Sequence, residues 1–597
     1  MKKLLAIIMS FCVALTAFIG TGCVGTKGSN SPNVLDVYCY VSGYGDTYLT
    51  NSAGTGVLDI FTEQDWVKEK YPNVKVSYTS NGEAGFANNK LYNQKSNTFD
   101  LIFSNWLDSI PQSLVVNLTD AVYKKEVPGK EDTKIIDILP EHVRESIRRD
   151  DVENNRTDGY EDYFSVRYLS EFFSFMYNKD VLDFYDMDLP VTTKEFEEAC
   201  ETVENSIATH TATNPTAYTY KVGTQSFVID TGLMMSAKNS YIQWMFPAFW
   251  TQYEGIQNYR NFFEGEYFGE LSTENFYQKG RLRAFQTMED LVREHHWEGA
   301  AEANNTEAQN EFILGNGLFH WNGDYFTTEM VGEREQNRDK YGVEDNIGMM
   351  AIPVMSSLVE KLSFYVEDTG SFVEAERAGT TYLTSTEKPY HMLDETKQEY
   401  YDNILAAIIR EIDAGVTYAN STAKTGNGYT VSQADWNIVA SARNIKGYNS
   451  LTSYSAVIPS GSPAKDLAAD FLRFMYSDIG IEAFSNASEG MLFPVDYFGS
   501  LSDTEYEEAV AGFEQESQDK FELIFKKGST LIPSESTFAL GRSGLEKYAY
   551  SGNEGTNMVT SGDSYKKPVD FFIDDILTYT GANYSNWESL CQLAGKM

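Results

Sequence analysis

Hydrophobic and polar positions along the chain switch between a period of two and a period near 3.6, and this succession predicts an α/β protein. Val34 to Val41 (VLDVYCYV) and the alternating Val74 to Tyr78 have strand character, as does the short apolar run Phe99 to Phe103. Gly56 to Lys70 lies between the first two and offers Leu58, Phe61 and Trp66 to a core, which predicts a helix. Strand, helix, strand, helix, strand is the order that builds a parallel sheet. Ligands of such sheets sit beyond the carboxyl ends of the strands. That rule nominates Tyr44, Asp46, Asn81, Asn105 and Trp106 as one edge of a cleft.

A second patterned stretch runs from Tyr160 to Pro190. Tyr163 to Met176 is aromatic and β-branched, interrupted by Ser165, Arg167, Ser170, Glu171 and Ser174, and predicts a strand entering a core. Thr192 and Glu195 have capping-box spacing, and Phe196, Ala199, Cys200 and Val203 form one apolar helical stripe. Glu171 is a charge inside a hydrophobic strand, where unpaired burial is costly. It is either a ligand-binding carboxylate or half of a structural salt bridge to Arg167 or Arg443. Further on, Tyr241 to Tyr253 is densely aromatic and predicts a core helix broken at Pro247, and Leu393 to Ala414 predicts a long helix. Pro463 behind Ser462 predicts a capped helix start, followed by the stripe Leu467, Phe471, Phe474, Met475.

Several segments resemble, in order, the extracellular solute-binding proteins of carbohydrate ABC transporters (family 1, maltose-binding-protein-like lipoproteins). Tyr177-Asn178-Lys179-Asp180, followed by Pro190-x-Thr192-x-x-Glu195-Phe196, resembles the family's first crossing between lobes. Glu171, six residues before Tyr177, matches the spacing of a hinge-side carboxylate that binds sugar hydroxyls. Phe312 to Tyr325 (FILGNGLFHWNGDY) resembles a family motif, with Phe312, Gly315 and Gly323 kept and Tyr325 where the family has a ring-stacking Trp. The alternative for Tyr325 is packing between the lobes. Asn322-Gly323 is expected to make the turn that presents Tyr325, flanked by Trp321 and Asp324. Asn346 to Pro353 resembles the second crossing and Gly490 to Pro494 the third, and Arg443, Tyr448 and Asn449 are expected to face the cleft.

The resemblance implies an α/β, two-lobed periplasmic-binding-protein-like (type II) fold with a hinge and interlobe cleft. Lobe 1 is expected from 34–165 and 351–490, with an insertion at about 356–430 packed on it, and lobe 2 from 166–350 and 491–597. A monomer that closes on a carbohydrate and delivers it to an ABC permease is the implied function, without catalysis.

Composition narrows this picture. With 42% hydrophobic and 14% aromatic residues in 597, the chain buries more than one core. Its 39 Tyr, 36 Phe and 8 Trp supply rings for sugar faces as well as for cores. A net charge of −40 repels phosphate backbones and excludes nucleic acid as a partner. Strand exits carry no P-loop or dinucleotide motif, so no cofactor is indicated. Cysteine and histidine spacing suggests no metal site.

Lys2 and Lys3 ahead of the apolar run Leu4 to Ile19 predict a signal peptide over 1–22. Gly20-Thr21-Gly22-Cys23 resembles a bacterial lipobox, which implies lipidation of Cys23, a tether over 23–33, and an extracytoplasmic place on the cell membrane. Two other classes stay open. A surface glycoside hydrolase would need a carboxylate pair ~5–10 Å apart, and a surface sugar-recognition protein would need no transporter.

Overall fold

The computed structural model of the chain describes residues 31–40, 48–82, 85–93, 97–105, 107, 110–149, 162–237, 241–267, 269–426, 428–451, 454–535, 538, 540–545, 558–559, 567–581 and 584–597. Ten strands carry its two main sheets: β1 (Val34–Tyr40), β2 (Lys75–Asn81), β3 (Leu101–Ser104), β4 (Val166–Arg167), β5 (Ser170–Asn178), β6 (Thr231–Met234), β7 (Gly317–Gly323), β8 (Ile347–Met350), β9 (Tyr448–Leu451) and β10 (Ser455–Val457). The first sheet has the order β2-β1-β3-β10-β4, parallel in its first three strands and antiparallel at β10. Side chains of β1 alternate between two apolar clusters: Leu35, Val37 and Cys39 enter one, and Tyr38 the other. Both faces are therefore covered, which explains the nearly unbroken hydrophobic run in sequence.

The second sheet has the order β6-β7-β5-β8, with β9 also paired to β5. Strand β5 is central, flanked by β7 on one side of the ladder and antiparallel to β7, β8 and β9. Only Tyr168 and Leu169 separate β4 in the first sheet from β5 in the second, so the chain crosses between sheets there. The predicted continuous strand from Tyr163 to Met176 is thereby divided.

The return to the first sheet comes later than expected. After β8, Val354 bridges to Thr192, and the Gln252 side chain bonds to the Pro353 carbonyl and the Met355 amide. Strand β9 still pairs with β5, and the chain rejoins the first sheet only at β10. The crossing thus falls between Leu451 and Ser455 rather than at Met350–Pro353, because the segment after β8 stays bonded beside the second sheet, with the Ile352 amide donating to the Lys446 carbonyl just ahead of β9. The insertion likewise packs beside the second sheet. Its long helix (Glu395–Asp413) shares a core with Val191 and Val354, and the buried Arg283 pairs with Glu360 and Glu374 of the insertion. Near the third expected crossing, Leu492 bridges to Ser170, and beyond it Asp519 accepts a hydrogen bond from the Met349 amide.

Local predictions meet two further corrections. Thr192 caps its helix (Thr193–Thr209) as expected, accepting from the Glu195 amide at 3.2 Å. Ser462 makes the expected capping bond, accepting from the Ala464 amide at 3.0 Å, although the regular helix starts only at Lys465; the same hydroxyl also donates to Asp100 at 2.6 Å. Pro247 breaks nothing, because it lies in the first turn of the helix Met245–Glu254, where its missing N–H costs no bond.

Candidate functional site

The period of two along β5 places Glu171, Phe173, Phe175 and Tyr177 on one face of the second sheet. Register adds partners to that face: Tyr448 lies opposite Phe173, Ser450 opposite Glu171, Trp321 opposite Phe175 and Gly323 opposite Phe173. Gly323 is strand, not turn, in contrast to the expectation for Asn322-Gly323. A Cβ at this position would sit 2.6 Å from the Phe173 ring, so glycine here serves close packing. Immediately beyond, Asp324 and Tyr325 open a helix (Tyr325–Gln336) that turns back over the face.

Tyr325 donates a 3.3 Å hydrogen bond to Glu171. Both are buried, and Glu171 has no ion-pair partner among the described residues. The expected alternative through Arg443 is not realised, since that guanidinium binds Asp413 twofold and donates to the Ile352 carbonyl. Burial first, then the charges of Asp324 and Glu535, pushes the Glu171 carboxyl up to about 8, against a smaller lowering by the Tyr325 bond. Glu171 therefore holds its proton at neutral pH and offers both a donor and an acceptor. Burial also pushes Asp324 up to about 6, opposed chiefly by Lys520, whose ammonium lies 3.8 Å away and donates to the Gly490 carbonyl at 2.7 Å.

Rings surround the carboxyls. Phe173 lies 5.2 Å from Tyr241 and 6.1 Å from Tyr325, and Trp244 stacks on Tyr448 at 4.9 Å and 17°. Trp321 fixes this wall by donating its indole N–H to the Tyr241 carbonyl at 2.9 Å. Tyr241 and Trp244 are only partly buried, while Tyr325 and Tyr448 are enclosed. Flat apolar faces beside groups that both donate and accept suit a polyhydroxylated ring.

The structure thus brings together Glu171, Trp321, Asp324, Tyr325 and Tyr448. Asn449 points to the opposite face of the sheet, one residue out of phase with Tyr448, and Arg443 is consumed by Asp413. Asn105 is buried just after β3, and Asn81 ends β2, both in the first sheet. Tyr44, Asp46, Trp106 and Cys23 lie outside the described residues. Tyr241, Trp244, Lys520 and Glu535 were not singled out from sequence. The first two sit in a densely aromatic run, and the other two are single charges brought in from more than 150 residues beyond Tyr325 or Glu171 in sequence.

No group of three or more His, Cys, Asp or Glu able to hold a metal ion occurs among the described residues, and none of their helices is long and apolar enough to cross a membrane. No protein-family model and no curated protein matches the chain. Among solved structures, one from work on xylan utilisation by Caldanaerobius polysaccharolyticus aligns with 92% of this chain and 100% of its own, at 11% identity and a TM-score of 0.49. A Streptomyces glaucescens receptor solved unliganded and with acarbose covers 95% and 99%, at 14% identity and 0.46. A family 1 extracellular solute-binding protein from Bifidobacterium longum subsp. infantis covers 93% and 99%, at 13% and 0.44. The two-lobed α/β architecture itself rests on the strand order of the two sheets.

Proposed function

We propose that the chain is an extracytoplasmic solute-binding protein that captures a carbohydrate between two lobes and delivers it to an ABC permease. The single observation that carries this reading is the wall of rings around a proton-holding carboxyl, placed where the chain crosses between its sheets. Tyr241 and Trp244 offer C–H-compatible faces. Glu171 and Asp324 take the hydroxyls, and Tyr325 fixes Glu171. Each lobe is built on one sheet, so the parts of lobe 1 are 34–167 and about 455–490. Lobe 2 takes the rest of the described chain after Ser170, including the insertion.

In this reading the enclosure of Glu171 and Tyr325 corresponds to closed lobes, and a ligand enters when they part about the crossings. Lipidated Cys23 and the short tether would hold the protein at the membrane beside its permease. Calorimetry against xylo-, malto- and chito-oligosaccharides tests the proposal. Saturable binding with the sugar recovered intact supports it. No binding across the panel sinks it, and cleavage of the sugar would move the protein to the glycoside hydrolases.

A further inference from the structure

Away from this site, a cavity of about 250 Å³ opens between the insertion and the Thr193–Thr209 helix. Its wall is polar: Ser357, Gln286, Gln398, Lys194, Glu197 and Asp290 line it. The Ser357 hydroxyl is buried and has no hydrogen-bond partner among the described residues. An orphaned buried hydroxyl costs free energy unless something in the cavity meets it. The two amides are half-used. Gln286 accepts from Arg283 at 2.9 Å, which leaves its N–H pair as donors. Gln398 donates to the Tyr390 carbonyl at 3.2 Å, which leaves its oxygen as an acceptor.

The geometry points to a second binding site here, for a small uncharged polyol or monosaccharide. Size comes from the cavity, which is smaller than the ~300–1,000 Å³ typical of sites for drug-sized ligands. Neutrality comes from the wall. Arg283 spends its charge on Glu360 and Glu374. Burial raises Asp290 to about 7, so near neutral pH the Lys194 ammonium faces a partly charged Asp290 and a protonated Glu197; a lone cation meets Lys194 and a lone anion meets Asp290. Hydroxyls that donate and accept match the mixed set left by Ser357, Gln286 and Gln398. Burial raises the Glu197 carboxyl to about 8, which adds a donor at neutral pH. Because the insertion supplies Ser357 and Gln398 while the helix supplies Lys194 and Glu197, a bound molecule would tie the insertion to its lobe.

Equilibrium dialysis of radiolabelled D-glucose, D-xylose and xylitol tests this on the full chain carrying Glu171→Ala and Trp244→Ala, which disable the first site. Saturable binding of at least one probe is expected to persist there. Adding Ser357→Trp, which fills the cavity, should abolish it. If that variant fails to fold, Gln398→Leu removes one acceptor and should weaken binding about tenfold. Absence of saturable binding for all three probes overturns the inference, as does binding that Gln398→Leu leaves unchanged. Calcium titrated in place of sugar, if it binds and is lost with Glu197→Gln, would make the cavity a cation site and also overturn it.

Discussion

Tyr325 and Glu171 are 154 residues apart in sequence, and a single 3.3 Å hydrogen bond joins them over the central strand of the second sheet. The bond links a helix start to the first strand after a crossing, so it ties the chemistry of the site to the junction of the lobes. With Glu171 raised to about 8, its partner chemistry is that of a neutral acid.

That protonation gives a stability signature. Glu171 ordinarily titrates near 4.5 and here near 8. The unfolded chain releases its proton above the lower value, while the folded chain keeps it until the upper one. Stability from this group is therefore intact below pH 4.5, falls as pH rises towards 8, and is level beyond. Glu171→Gln cannot lose a proton. Urea unfolding should show the variant and parent alike near pH 4, with the variant more stable at pH 8 by on the order of a few kcal/mol. Equal differences at both pH values would show that Glu171 is charged in the folded protein.

Gly323 is a packing requirement. A methyl group at this position meets the Phe173 ring at 2.6 Å. Gly323→Ala should cost ~1–3 kcal/mol in denaturant unfolding, and Phe173→Leu in that background should recover part of it. Parent-like stability of Gly323→Ala would show that Phe173 moves freely aside.

Lys520 offsets a buried charge. Its ammonium lies 3.8 Å from Asp324 and satisfies the Gly490 carbonyl. Lys520→Met leaves both without it and should destabilise by ~3–5 kcal/mol. Asp324→Asn in the same chain should restore part of the loss, which a double-mutant cycle reads directly. Strict additivity would mean that the two groups do not interact.

Much of the fold was legible in the sequence, and the reasons are local. Val34–Tyr40 and Lys75–Asn81 announce themselves because a strand buried on both faces or alternating in character leaves a short-range pattern. Thr192 does so because a cap is decided within four residues. Glu171 stood out as a charge in an apolar strand. Long-range pairing was not legible: nothing near Pro353 states that the chain will stay with the second sheet until Leu451. Arg443 looked available because its partner Asp413 lies on another helix. The face that Asn449 occupies is not readable locally, because its register with Phe172 is a property of β5 as much as of β9. Tyr241 and Trp244 were hidden among rings, where composition does not separate a core residue from a half-open one.

Anchoring is tested through Cys23. In cells carrying Cys23→Ala, membrane fractions should lose the protein to the soluble extracytoplasmic fraction. Retention of the variant in membranes would require another anchor.

The most direct measurement of the central claim is a calorimetric titration of Trp244→Ala/Tyr325→Ala, against the oligosaccharide that binds the parent. Stacking on aromatic rings and the Tyr325–Glu171 bond each contribute ~1 kcal/mol or more. The account predicts affinity lower by about tenfold or more, with circular dichroism and thermal unfolding still those of a folded protein. Undiminished affinity in the folded double variant would contradict it and place the carbohydrate elsewhere.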